Sequence, residues 1–389
     1  MTAPRVTEAA YAVVALPLRL RLRHTTADTG ELTVVFLRIR CADGHVGWAE
    51  TRGNGEYATH HTAASITAAL AALPPATDAA WDDPAALADA LAGHCPPAAM
   101  LVDIAWRDAL ARSSGVPLWV ALGGVRRAAG PRLATHAPIG FGDPEQAATA
   151  ATAAAEAGFG RVKVRVGGDP ALDRARVARI RQAVDAVAGA GAVAIAADAN
   201  GGWDAATGTA ATHWLAGYGV AWFEQPTPAA DLTALARVRA TSPIPIWADE
   251  AVRDSASVHA VADAGAADGV HLKLEKAGTV ATLSAAVDAA RRRGLDVGLG
   301  QMDCGRLGCA TTAHLAAALD VQVAELWGCA NVERDVAEGL ELRDGAVLLP
   351  DAPGLGVHVA LHPTALTPVG ARHRAPVPAV PKQPRTCTP

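Results

Sequence analysis

The chain has 389 residues, 51% of them hydrophobic, with 34 Lys and Arg against 39 Asp and Glu for a formal net charge of -5. That length buries one large core and a smaller one, and the near-balanced charge without a basic stripe argues against nucleic-acid or membrane partners and for small molecules. No stretch reaches the ~20 apolar residues of a membrane span, and no cationic segment precedes a long apolar run in MTAPRVTEAAYAVVALPLRL. A cytoplasmic location is expected.

Residues 12–50 alternate apolar and polar side chains, as in LTVVFLRIR, then turn at Asp43 and Gly44 into HVGWAE, the pattern of a small antiparallel sheet. Helices are predicted over residues 63–73, 84–92 and 98–111, stopped by SSGVPLWVALGG, so residues 1–128 read as an N-terminal α+β domain. From Arg132 onward short β-branched runs each precede an Ala-rich helix: LATHAPI, RVKVRV, AVAIAAD, VAWFE, IPIWAD, DGVHLKL, DVGLG and VQVAEL. Strands alternating with helices at this spacing form parallel βαβ units, and an unbroken series of eight favours a closed (β/α) barrel over residues 129–328. Residues 329–370, with RDGAVLLPDAPGLGVHV, read as a strand pair and Gly-rich turn returning to the first domain. The Pro-rich, basic residues 371–389 read as a disordered tail. The six cysteines (Cys41, Cys95, Cys304, Cys309, Cys329 and Cys387) show no CxxC pair and no zinc spacing, and read as free thiols.

Asp198, Glu224 and Asp249 are 26 and 25 positions apart, and Lys273 follows 24 later (198 to 224, 224 to 249, 249 to 273). Each falls at the C-terminal end of its strand, the face on which barrel enzymes build their sites. Any one acid there could instead cap the following helix; three carboxylates and a lysine at one repeat period favour a site. Three hard oxygen ligands suit Mg²⁺, with Mn²⁺ as an alternative, and leave room for a substrate carboxylate. A divalent ion on that carboxylate stabilises the dianion formed when the neighbouring carbon loses its proton. Lys273 is placed to take that proton, with a pKa expected to be lowered by the metal and nearby cations. Lys163 and Arg165, alternating with Val162, Val164 and Val166, are expected to point into the barrel from the other side.

The ordered pieces DGHVGWAE, MLVDIAWRDALARSSGVPLWVALGG, GFGRVKVRVG, ADANGGW, WFEQPTP, IPIWADEAV, GVHLKLEKAG and PDAPGLGV resemble the enolase superfamily, in its mandelate racemase and muconate lactonizing enzyme branch, over residues 12–368. The resemblance implies an α+β capping domain, completed by the C-terminal segment, over a modified TIM (β/α) barrel. It implies Asp198, Glu224 and Asp249 as Mg²⁺ ligands, Asn200 and Glu250 as polar groups behind them, and Lys273 as an acid/base group, as in the subgroup similar to muconate lactonizing enzyme. It also implies a symmetric homo-oligomer, a dimer or octamer.

Two departures bear on the reaction. The family's Lys-x-Lys on the second strand is Lys163-Val164-Arg165 here, and arginine, always protonated, is a poor base, so Arg165 is expected to stabilise negative charge while Lys163 contacts the substrate carboxylate. The family's Met-x-Glu on the seventh strand is Met302-Asp303-Cys304, placing Cys304, or Asp303 after a small shift, at the acidic position. Glu325-Leu326-Trp327 stands where the dipeptide epimerases carry Asp-x-Asp for a substrate ammonium, which gives Glu325 and Trp327 as substrate contacts, with His24 in the pocket wall. These features place β-elimination or cycloisomerisation of a small carboxylate, by a muconate cycloisomerase-like lyase or isomerase, first. The alternatives are a racemase or epimerase of an amino-acid derivative or dipeptide, with Lys163 opposing Lys273, and a non-catalytic protein that binds metal and carboxylate.

Overall fold

The computed structural model describes residues 4–24, 27–125 and 130–370; the predicted tail 371–389 lies outside them. Strand β1 (Val6–His24) pairs antiparallel with β2 (Ala27–Cys41), and β2 with β3 (Val46–Arg52). β1 starts ahead of residue 12: Ala9, Ala10 and Tyr11 are buried and pair with β2, and Ala10 and Tyr11 also pair with the late strand Thr367–Pro368. Helices Ala63–Ala72 and Pro96–Ser113 pack on this sheet, and Pro84–Ala92 packs on Pro96–Ser113. Helix Pro96–Ser113 approaches β3 so closely that a Cβ at Gly47 would overlap Ala105 O and Ala109 N, which explains the glycine in HVGWAE.

The predicted strand over 133–139 divides in two. β4 (Arg132–Ala134) pairs antiparallel with Ala346–Leu348, and β5 (Ala137–Ile139) opens a parallel sheet. The sheet continues in chain order through β6 (Arg161–Arg165), β7 (Ala194–Asp198), β8 (Val220–Glu224), β9 (Ile246–Ala248), β10 (Gly269–Lys273), β11 (Asp296–Gly300) and β12 (Val323–Ala324). β5 and β12 stand at the two ends of the hydrogen-bonded order, and the seam between them is joined by Leu326 N–H donating to the Thr135 hydroxyl at 2.8 Å. This is a modified TIM (β/α) barrel with an N-terminal α+β capping domain.

Strand alternation sorts the interior into layers. Deepest lie Ala196, Trp222 and Trp247, with Val323 packed on them; the two indoles stack at 5.1 Å. One step up those strands come Asp198, Glu224 and Asp249, flanked by Lys163 of β6 and His271 of β10, all buried.

The C-terminal segment ties the two parts together. The hairpin Glu341–Arg343 and Ala346–Leu348 holds β4, Leu355 N–H donates to buried Asp108 at 2.7 Å, and Thr367–Pro368 joins β1. Asn331 accepts from Leu20 N–H and donates to Leu20 O, both at 2.8 Å, which fixes the β1 arm over the barrel mouth. Among the described residues no helix is long and apolar enough to cross a membrane, and the five described cysteines are free and buried; Cys387 lies outside them.

Candidate active site

Asp198 and Glu224 end β7 and β8, and Asp249 follows β9, so adjacent strands deliver three carboxylates to one end of the barrel. None caps a helix: those duties fall to Asp143, Asp169, Asp204, Asp231, Asp254 and Thr279, whose side chains accept the first-turn N–H groups of the barrel helices. The donors are all hard oxygens, the chemistry of a Mg²⁺ or Mn²⁺ site. Asn200 bridges the neighbourhood, donating to Glu250 Oε1 at 3.0 Å and accepting from Arg165 at 3.1 Å. Glu250 Oε2 is buried without a hydrogen-bond partner, a further oxygen at this edge, and burial, Asp249 and Asp198 push its carboxyl up to about 7.

Cations answer these acids. Lys273 Nζ lies 2.5 Å from Asp249 Oδ2, and Lys276 Nζ lies 2.6 Å from Asp249 Oδ1. Burial works to raise the Asp249 carboxyl, yet these two ammonium groups hold it well below the carboxylate range. The expected lowering of Lys273 is not seen in the protein's own field. Burial pushes its ammonium down, but Asp249, Glu325, Glu250 and Glu224 outweigh burial and hold it well above its ordinary value. Arg165 pairs with Asp198 through Nη1. Lys163 is enclosed by Glu325 at 2.5 Å, Glu224 at 2.7 Å and Asp198 at 3.0 Å. Glu224, Glu325 and His271 have their ligand atoms within 4.8 Å of one another, but the Lys163 ammonium already touches both carboxylates.

The cleft above is lined by Leu20 and Tyr57 of the capping domain and by Arg165, Asn200, Glu250, Lys273, Asp303 and Trp327 of the barrel. Lys163 is not among its lining residues and its side chain is 2% exposed. Cys304, placed at the acidic position from the sequence, is 2% exposed and outside the lining; its thiol donates to Gln301 Oε1 at 3.1 Å, and burial raises its pKa. The chain turns inward after Asp303, so Asp303 reaches the cleft, 3.8 Å from Arg52. Glu325 lines the cleft but spends Oε1 on Lys163, with His271 at 3.5 Å and His136 at 3.8 Å. The His24 side chain lies outside the described residues.

Several site neighbours were not singled out from the sequence. His271 precedes Lys273 by two on β10, and Arg161 precedes Lys163 by two on β6, so strand alternation alone would have placed both inside. Arg161 stacks on Trp222 at 5.1 Å. Gln225, at φ 38°, accepts Asp249 N–H at 2.9 Å and orients that loop. His136 and Gln301 carry no local pattern and become visible only when the strands are assembled.

A capping domain over an eight-stranded barrel, with acids on three successive strand ends and a lysine on the next, defines an enolase-type scaffold. The chain belongs to the enolase superfamily, in its mandelate racemase and muconate lactonizing enzyme branch. Residues 145–362 match the family described as enolase C-terminal domain-like, and residues 7–123 match the mandelate racemase/muconate lactonizing enzyme N-terminal domain. It is 34% identical over 264 residues to muconate cycloisomerase 1 of Rhodococcus opacus, covering 66% of this chain and 68% of that one. It is 29% identical over 361 residues to the L-Ala-D/L-Glu epimerase of Bacillus subtilis, covering 88% and 94%. The dipeptide epimerase of Methylococcus capsulatus, solved with Mg and the dipeptide L-Arg-D-Lys, superposes with a TM-score of 0.79 at 27% identity, over 91% of this chain and 99% of that one.

Proposed function

We propose that this enzyme removes the proton beside the carboxylate of a small acid with Lys273 as its base, and that the resulting enolate goes on to β-elimination or cycloisomerisation on the same face. The observation that carries the reading is the asymmetry of the cleft. Lys273 lines one side of it, whereas the side facing Asp198 presents the guanidinium of Arg165, and Lys163 is buried behind carboxylates. Asp198, Glu224 and Asp249 would hold Mg²⁺, the ion present in the Methylococcus capsulatus structure, or Mn²⁺, and a bound ion would supply positive charge to the substrate carboxylate as the enolate forms.

The remaining work falls to the chain's own groups. Lys276 shares Asp249 with Lys273, so Asp249 keeps a counter-charge when Lys273 turns toward substrate. Arg165, fixed by Asp198 and Asn200, offers its other donors to developing negative charge. Leu20, Tyr57 and Trp327 cover the cleft and limit water, which strengthens those interactions. A second reading, epimerisation of a dipeptide or amino-acid derivative, is favoured by the similarity to the Bacillus subtilis epimerase over 88% of this chain. It requires an acid/base group on the opposite face.

The test is proton NMR in D₂O with Mg²⁺ on hydroxy acids, N-acyl amino acids and dipeptides. Loss of the α-proton signal from one enantiomer, or a vinylic product, abolished in Lys273→Met, supports the one-lysine reading. Exchange into both enantiomers replaces it with the epimerase.

A further inference from the structure

Building on that reading, we propose that Glu325 is a positioning residue that holds the Lys163 ammonium in the barrel interior, not a contact for a substrate ammonium. An ammonium group has three N–H bonds, and Lys163 meets three carboxylates, at 2.5 Å (Glu325), 2.7 Å (Glu224) and 3.0 Å (Asp198). Two of these three also belong to the oxygen set suited to a divalent ion. Such an ion draws on the same oxygens and repels the ammonium beside them. Glu325 is the one carboxylate of the three outside that set, and it reaches Lys163 past β5 from the end of β12, on the flank away from Asp198 and Glu224. It therefore supplies the counter-charge that keeps Lys163 in place.

The surroundings are shaped for this reach. His271 and His136 flank Glu325 Oε1 at 3.5 and 3.8 Å. β11 carries Gly300 where a Cβ would come 2.8 Å from His271 Nε2 and 3.1 Å from both Glu325 Oε2 and Lys273 Cε. A side chain there would block the crossing. With Oε1 so engaged and the Glu325 side chain 12% exposed, Glu325 presents at most Oε2 to the cleft.

A double-mutant cycle separates the two roles. E325Q, K163M and the double variant are compared for Mn²⁺ affinity by calorimetry without substrate, and for α-proton exchange of an N-acetyl amino acid and of a free dipeptide. Positioning predicts that E325Q weakens Mn²⁺ binding and lowers kcat about tenfold on both probes, with KM within about twofold, and that these effects at least halve in the K163M background. An E325Q effect confined to KM for the free dipeptide, or undiminished in K163M, overturns the proposal. Should E325Q fail to fold, E325D, which keeps the charge and shortens the reach, goes through the same cycle. A wild type that exchanges neither probe removes the proposed reaction, while the Mn²⁺ arm still decides whether Glu325 acts through Lys163.

Discussion

Arg165→Lys would give the second strand two lysines, and its outcome is calculable in direction and size. Arg165 donates to Asp198 and to Asn200 Oδ1. A lysine has one ammonium and a shorter reach, and keeps the Asp198 contact at the expense of the other. Losing one charge-assisted bond costs about 1.5–3 kcal/mol, so exchange of the enantiomer handled by Lys273 should slow by roughly 10- to 100-fold if that bond orders the transition state. A positioned general base contributes about 10²–10⁴-fold, so the opposite enantiomer, inert with the wild type, should begin to exchange. The assay is proton NMR in D₂O on both enantiomers of one exchanging acid, with K273M/R165K as control for which lysine serves which face. Comparable exchange of both enantiomers by the wild type would refute the one-lysine assignment, and an R165K enzyme inert toward the second enantiomer would show that this strand position cannot reach the opposite face.

Gly300→Ala forces a Cβ into the space shared by His271, Glu325 and Lys273, and overpacking of this kind costs about 1–3 kcal/mol; a lower urea midpoint and slower exchange are expected, against a Gly160→Ala control, where a Cβ meets nothing within 4 Å. Asp108→Asn sets an amide NH₂ against one of the buried N–H groups of Trp48 (3.0 Å) and Leu355 (2.7 Å) and breaks the Arg112 pair at 3.0 Å. A loss of about 3–5 kcal/mol is expected in urea unfolding, and a loss below ~1 kcal/mol would show that the C-terminal return does not depend on this carboxylate. His314 accepts Trp119 N–H at 3.0 Å and lies 3.2 Å from Leu355 O, and burial drops its pKa from 6.5 to about 4. Because its folded pKa lies below its unfolded value, the unfolded chain binds a proton first as pH falls. Stability should therefore be whole above pH 6.5 and fall by up to about 3 kcal/mol toward pH 4, a slope that His314→Gln should flatten in pH-dependent unfolding.

The barrel was legible because its signals are local: each short β-branched run is followed by an Ala-rich helix, and the acids recur once per unit. The N-terminal helices emerged nearly at their predicted ends for the same reason. What escaped depends on side-chain reach across the assembled barrel. Glu325 looked like a rim residue because sequence position says where a strand ends, not how far a side chain then travels inward. Cys304 was placed in the cleft by counting along one segment, whereas the turn after Asp303 buries it against Gln301. The break between β4 and β5 was hidden because LATHAPI reads as one strand; the partner that claims its first half, Ala346–Leu348, lies two hundred residues away in the chain.

The stacked Trp222 and Trp247 have a consequence for the floor of the barrel. A Cβ at Gly269 or Gly298 would strike the Trp247 ring at 2.5 or 2.9 Å, so the neighbouring strands have given up side chains to let that indole lie across the axis. Arg161 leans on Trp222, so the aromatic pair seals the barrel beneath the ionic layer like a stopper. Among the described residues, the floor of the barrel is thus closed by aromatic rings, and the cleft that holds Lys273 and Arg165 lies at the opposite end, beneath Leu20 of the capping arm.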